Sequence, residues 1–470
     1  MTQYQTARMR APCDVAEFIN DRPISTFQLR IVALCFLVVA MDGFDAASIG
    51  FIAPAIRSEW LLTPTALASL FGAGLAGLMV GALTFGPLAD RVGRRTVLTG
   101  SVASFGLACF VSAFAPSLPV LVALRFVTGL GLGGAMPNAI TLTAEYCPQR
   151  RRSTLLTLMF CGFSLGGALG GVISAALIHD YGWRSVLAAG GAVPLLSVPV
   201  LLMLLPESAR YLVLSGASAQ RVARALARLG PAIAFDETQT FTVRDTRPRG
   251  GWLPVLDLFR EGNARNTLLL WLTFFMGLMI IYLLSSWLPT VLHSMGFSLR
   301  AAALVAALLQ TGGVVGAIVL GVLMDRLDPC RVLAFTYCIG CASIFTIGHT
   351  ATPALLCLAV FVTGCCISGS QTCISILSAS FYPTHCRATG VSWASGVGRL
   401  GSIAGSVAGG VMLSGGWSNS TIFSLIAAPA LAAALLMHRL ARSRRGAASA
   451  CVAATPKSAA SCRCSRNDKR

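Results

Sequence analysis

Charge is what this chain has least of. Asp, Glu, Lys and Arg make up 11% of its 470 residues, whereas water-soluble domains carry about 25%. Hydrophobic residues fill 55% and the mean hydropathy is +0.73, a composition that excludes a soluble globular protein and requires lipid as the solvent. Acidic residues are fewer still, 18 against 36 basic ones, for a formal charge of +18. A nucleic-acid binder would gather that excess into a basic patch on a soluble domain, so no nucleic-acid partner is expected. The alternating strands of a β-barrel are missing too; the continuous Leu/Ala/Val/Gly runs satisfy their backbone hydrogen bonds only as helices. No nucleophile–base pair, metal-ligand spacing or phosphate-binding loop stands out, which makes an enzyme the least expected class and leaves no cofactor or metal to expect. The 16 cysteines do not alter this, because most sit singly in apolar runs, as at Cys35, Cys109 and Cys357, and read as small core residues. Residues 1–29 mix Asp14, Glu17 and Asp21 with arginines around no short apolar core, so no removable leader is evident.

What is present is a series of apolar runs, each long enough, at about 20 residues, to cross the hydrocarbon core. Twelve can be placed, at 30–54, 65–88, 97–115, 119–146, 153–178, 184–205, 267–290, 299–324, 331–349, 354–380, 386–413 and 418–438. With alternating helices, arginines 8, 10, 22 and 30, 91, 94 and 95, 150 to 152, 326 and 331, and 439, 442, 444 and 445 all fall on one side. The positive-inside rule makes that side cytoplasmic, together with both termini, and a cell inner membrane is the expected location. The expected organisation is a cytoplasmic segment (1–29), a six-helix bundle (30–205), a cytoplasmic linker (206–266), a second bundle (267–440) and a disordered cytoplasmic tail (441–470). The linker carries a short helical pattern at 219–229 with Arg221, Arg224 and Arg228 on one face. The fold class is all-α integral membrane, twelve transmembrane helices in two pseudo-symmetric six-helix bundles.

The pseudo-symmetry is written in the residues. Gly77, Gly81, Gly86, Leu88, Asp90 and Arg91 are matched by Gly312, Gly316, Gly321, Leu323, Asp325 and Arg326 (326 − 91 = 235). At the same offset Phe126-Val127-Thr128-Gly129 returns as Phe361-Val362-Thr363-Gly364, and Arg152, Gly166 and Gly170 meet Arg387, Gly401 and Gly405. One offset held over this distance marks two copies of one unit.

Several motifs carry a family resemblance. Gly86-Pro87-Leu88-Ala89-Asp90-Arg91-Val92-Gly93-Arg94-Arg95 resembles the signature loop between the second and third helices of the major facilitator superfamily, degraded after Arg326 in the second copy. Arg125-x3-Gly129-x-Gly131-x-Gly133 resembles a fourth-helix pattern of its proton-coupled members, and Pro206-Glu207-Ser208-x-Arg210 a motif of its sugar and organic-acid porters. Gly162-x3-Gly166-Gly167-x2-Gly170-Gly171 is similar to the antiporter signature, but Gly167 stands where antiporters carry Pro, against drug/proton exchange. Asp42-Gly43-Phe44-Asp45 resembles the acidic motif of the aromatic acid:proton symporter family. The resemblance implies halves that rock about a central site. It also makes the signature-loop charges Asp90, Arg91, Arg94 and Arg95, with Asp325 and Arg326, a latch that closes one side and opens the other.

Function should lie where the copies differ. Asp42 and Asp45 face Gly277 and Ile280, Arg125 faces Val360, Glu145 faces Ser380, and Arg399 faces Ser164. A charge near the bilayer centre costs about 2.5–3.5 kcal/mol on insertion scales, so packing alone does not explain five of them. Asp42 and Asp45 are i, i+3 on one helix face, about 18–23 Å from a start near residue 30. They are the candidate proton-coupling pair, with a salt bridge from Asp45 to Arg125 as the plain alternative. Arg399, about 20 Å into its helix, offers a bidentate fork to a substrate carboxylate, as does Arg125; Asp42 is the structural alternative partner for Arg399. Phe44, Phe275, Tyr282, Trp287 and Trp393 could clamp a ring, and Tyr282, Ser285 and Ser286 bond a ring hydroxyl. Arg152 and Arg387, kept in both halves, read as gate residues, joined by Glu145. The expected activity is proton symport of a small aromatic carboxylate by a monomer, with proton, anion and lipid bilayer as partners. A sugar or other organic-acid porter, or a non-transporting aromatic-acid receptor, remain the alternatives.

Overall fold

The computed structural model describes residues 13–229, 240–243, 258–259, 264–350, 352–382 and 387–454. Membrane helices are numbered α1 to α12 and shorter ones are named by their residues. α1 (Thr26–Trp60) opens on a reciprocal cap, Ser25 N–H donating to Gln28 Oε1 at 2.8 Å and Gln28 N–H to Ser25 Oγ at 3.3 Å, so it starts before residue 30. α2 (Pro64–Val92) follows a Thr63 cap, then come α3 (Arg94–Ser112) and α4 (Leu118–Tyr146). Gln149–Leu204 is helical throughout yet reverses at Gly182, whose φ of 74° suits only glycine, and its arms 149–181 and 183–204 are α5 and α6. Among the described residues, eleven long apolar helices therefore make the twelve crossings. The second half holds α7 (Ala264–Ser294), α8 (Leu299–Arg326), α9 (Pro329–His349), α10 (Pro353–Thr363 continued by Gly369–Phe381), α11 (Arg387–Ser414) and α12 (Asn419–Ala454).

The repeat is a repeat of contacts. A Cβ placed on Gly77 would stand 2.0 Å from the Phe126 carbonyl oxygen, and one on Gly312 would stand 2.2 Å from that of Phe361, so α2–α4 and α8–α10 approach through matching glycines. Gly166 lies likewise on the Ala40 carbonyl (1.8 Å) and Gly401 on that of Phe275 (2.3 Å), setting α5 against α1 and α11 against α7. Each half has its own buried apolar core, around Cys35, Phe105 and Leu142 in the first and Trp271, Tyr337 and Ile374 in the second.

The halves meet at and beyond mid-membrane, toward the end opposite the arginine loops. Gly50 of α1 rests on the Ser285 carbonyl of α7, and Gly171 of α5 on Ala307 of α8. Gly410 of α11 rests on Ala68 of α2, and the Phe71 ring of α2 meets Trp287 of α7 edge-on at 5.1 Å. Trp287 is 2% exposed and donates to the Ser406 carbonyl at 2.7 Å. It seals the joint between halves instead of clamping a ring.

The expected linker helix is present, and three other features depart from expectation. α10 contains a turn of π-helix at Gly364–Ser368, where the first half has regular helix. The linker helices Ala209–Leu214 and Ala219–Ala227 bury Leu212, Val222 and Leu226 against the first core, leaving Arg221, Arg224 and Arg228 outside. A two-residue parallel pairing, Cys13–Asp14 with Phe241–Thr242, is the one β element among the described residues. α12 also runs past residue 440 to Ala454, correcting the expectation of disorder over 441–454; its alanines favour helix. Residues 455–470 lie outside the described residues.

Candidate functional site

The site begins with two carboxylates one turn apart in α1, held there because Gly43 packs directly on the Phe163 carbonyl of α5. Asp45, 4% exposed, meets Arg125 of α4, 3% exposed. Arg125 Nη1 donates to both carboxylate oxygens and Nη2 to Oδ1, each at 3.2 Å. Each charge would be costly alone at this depth, and each has the other. Cys109 of α3 borders the pair and donates its thiol to the Leu187 carbonyl at 3.5 Å.

Asp42 is in the opposite situation. It is 1% exposed, its Oδ1 has no hydrogen-bond partner, and among the described residues it has no ion pair. The charges that act on it are the Arg399 guanidinium of α11, from the other half, and Asp45. Arg399 is half-buried and reaches Met136 of α4, Nη2 standing 3.9 Å from Sδ. The Tyr282 phenol of α7 has Arg399 and Asp42 as its charged neighbours. The structure therefore brings Asp42, Tyr282 and Arg399 together across the two halves, with Asp45 and Arg125 closed on one another beside them.

The aromatic candidates scatter. Phe44 is two residues from Asp42, about 200° around the helix, and its ring packs on Gly170 and Gly190 inside the first bundle, correcting its assignment as a ring clamp. Phe275 gives its carbonyl to the Gly401 contact and is half-buried beside α11. Trp393 is 48% exposed toward the arginine-rich end and stacks on Trp271 at 5.9 Å, away from Arg399. The stack is tied by Trp271 Nε1 donating to Tyr382 Oη at 3.2 Å, so Trp393 belongs to an end cluster and not to the charge site.

At the arginine-rich end of the first half, a left-handed Gly93 (φ 105°) folds α3 back so that Arg94 meets Asp90 of its own loop at 2.8 Å. Arg94 Nε also lies 3.6 Å from Glu145, whose Oε2 accepts from Ser208 Oγ at 2.5 Å. Glu207 accepts the Arg95 N–H at 3.1 Å and the Ser208 N–H at 2.9 Å, while Arg95 also donates its guanidinium to the Leu202 carbonyl. The Arg91 carbonyl accepts from Tyr211 at 2.9 Å. Among the described residues the signature loop is thus bound to the Pro206–Arg210 motif within its own half. Arg152 donates to the Cys147 carbonyl at 3.4 Å. Asp325 and Arg326 are exposed and have no ion pair among the described residues; the Arg387 side chain lies outside them.

Three neutral polar side chains that the sequence candidates do not include also stand out, Gln310, Gln371 and Tyr337. Gln310 of α8 donates to Ser285 Oγ at 3.4 Å and packs on Gly167 of α5 across the joint. Gln371 of α10 and Tyr337 of α9 each leave a buried polar atom without partner beside Gly277. Gly277 stands opposite Asp42 in the repeat, and that coincidence was the available signal.

Residues 35–406 match the model of the Major Facilitator Superfamily. The chain is 47% identical over 426 residues to a gallate transporter of Pseudomonas putida, covering 90% of this chain and 94% of that protein. It is 46% identical to the 4-hydroxybenzoate transporter PcaK of Pseudomonas aeruginosa, covering 89% and 93%. Among solved structures, the xylose transporter XylE of E. coli in a partially occluded inward-open conformation matches with a TM-score of 0.70 at 19% identity, covering 88% and 98%, and so speaks to the fold. The architecture is that of a carrier and not of an enzyme. The chain belongs to the Major Facilitator Superfamily and groups within it with transporters of aromatic acids.

Proposed function

We propose that the protein imports a small aromatic carboxylate of the hydroxybenzoate kind together with protons, as a monomer in a cell inner membrane with both termini cytoplasmic. The observation that carries this is the uneven pairing at mid-membrane: Asp45 and Arg125 are matched within one half, while Asp42 and Arg399 come from opposite halves with no hydrogen bond between them. An ionised Asp42 balances Arg399 through space. A proton on Asp42 cancels that balance and leaves a guanidinium whose remaining need is an anion. A substrate carboxylate on Arg399, beside the Tyr282 phenol, restores it. Proton and anion thus load as a neutral pair, each favouring the other, which is the condition for coupling. With the halves already joined at the end opposite the arginine loops, the loaded site opens toward the arginine-rich end, and the Asp90–Arg94–Glu145 cluster rearranges as the halves rock. The names of the relatives, gallate and 4-hydroxybenzoate transporters, support the aromatic acid.

A neutral sugar would give Arg399 no counter-charge, which disfavours the sugar-porter alternative. Competition of uptake by benzoate-like acids against hexoses separates the two. The test of the site is Arg399→Ala in proteoliposomes: substrate binding is lost, and an unchanged dissociation constant would return Arg399 to a structural role. Binding without uptake by the unaltered protein would mark a receptor.

A further inference from the structure

The groups first expected to meet a ring hydroxyl are engaged elsewhere. Ser285 accepts from Gln310, Ser286 pairs with Ser406 at 3.3 Å, and Tyr282 faces Arg399. Across α7 two other polar atoms are buried without a partner, the Gln371 Oε1 of α10 and the Tyr337 hydroxyl of α9. Both border Gly277, lying 2.4 and 3.0 Å from the point where its Cβ would be, so one small polar group can reach both. Gly277 has no side chain to spare that space; the residue matching it in the first half is Asp42. Gln371 is half-buried and Tyr337 fully buried, so the phenol is the deeper of the two groups. The turn of π-helix at Gly364–Ser368 ends three residues before Gln371, a widened turn of a kind frequent at functional sites. The depth matches as well. Gly398 and Gly401 of α11 rest on the Phe274 and Phe275 carbonyls of α7, which puts Arg399 within a turn of the level of Gly277.

We infer that Gln371 and Tyr337 form a neutral subsite that receives a ring hydroxyl of the substrate, selecting hydroxylated aromatic acids over unsubstituted ones. The hydroxyl donates to Gln371 Oε1 and accepts from the Tyr337 O–H, satisfying two groups that are costly to leave unmade. Arg399 holds the carboxylate at the other end of the ring. This rests on the transport function proposed above.

The experiment uses the full chain in proteoliposomes, with para-hydroxybenzoate uptake measured directly and benzoate as substrate and competitor. The unaltered protein prefers the hydroxylated acid. Tyr337→Phe and Gln371→Leu lower that preference about tenfold, the worth of one good hydrogen bond, by weakening para-hydroxybenzoate while benzoate is handled as before. Retained benzoate handling reports that the variants are folded. Gly277→Ala, which displaces the amide without removing it, gives the same loss. A preference unchanged in all three variants means the site holds only water and overturns the inference, as does equal weakening of both acids. An unaltered protein that accumulates neither acid sinks the transport proposal and this inference with it.

Discussion

Arg125 holds Asp45 through two guanidinium nitrogens at 3.2 Å, and Asp42, one helical turn earlier, has an oxygen that nothing in its surroundings bonds. Two like residues on one face of one helix are thus divided by their neighbours into one held in an ion pair and one with a carboxylate oxygen left unbonded.

Removing one member of the buried pair is costly. Arg125→Ala leaves Asp45 uncompensated and destabilises the protein by about 3–5 kcal/mol. The double variant Arg125→Ala/Asp45→Ala is less damaged than the sum of the singles, because each deletion removes the cost left by the other. Denaturant unfolding in detergent checks this, and strict additivity would mean that the two charges are not coupled.

Glycines shared by the repeat divide by what they touch. Gly77→Ala and Gly312→Ala force a methyl to 2.0 and 2.2 Å from a carbonyl oxygen and each lowers stability by about 1–3 kcal/mol, to a similar extent in the two halves. Gly86→Ala and Gly321→Ala meet nothing within 4 Å and are neutral or stabilising by about 0.5–1 kcal/mol. Thermal shifts of the four variants give the answer. A loss at Gly86 as large as at Gly77 would contradict it.

At the arginine-rich end, Glu207 matters more than Asp90. The Asp90 carboxylate is 45% exposed and its pairing with Arg94 is worth less than about 1 kcal/mol. Glu207 satisfies the first N–H groups of α3 and of the linker turn, so Glu207→Ala strands them and costs about 1–3 kcal/mol. The same unfolding experiment ranks them, and an equal effect would return the weight to the signature loop.

Much of the architecture was legible because lipid leaves the backbone one option. Apolar runs had to be helices, and matching glycines had to mark matching contacts, as Gly77/Gly312 and Gly166/Gly401 do. The Asp45–Arg125 salt bridge was legible in the sequence as the alternative to a proton-coupling role for Asp45. Phe44 was readable in principle, since i+2 from Asp42 lies on another face. Trp393 was placed too deep: six residues before Arg399, it falls in an end cluster with Trp271. The π-turn at Gly364–Ser368 has no signature in hydropathy, because Cys365-Cys366-Ile367 is as apolar as the regular helix it replaces. Gln371 and Tyr337 were not legible because they lie on two other helices and come together only beside Gly277, a residue notable for what it lacks.

In the proposed cycle Asp42 carries the proton whose loading prepares Arg399 for the anion. Asp42→Asn, reconstituted in proteoliposomes, tests it by comparing accumulation of labelled para-hydroxybenzoate driven by an imposed pH gradient with exchange of internal for external acid without a gradient. Exchange persists and gradient-driven accumulation is lost if the carboxyl is the proton carrier; accumulation at the unaltered level would contradict the account.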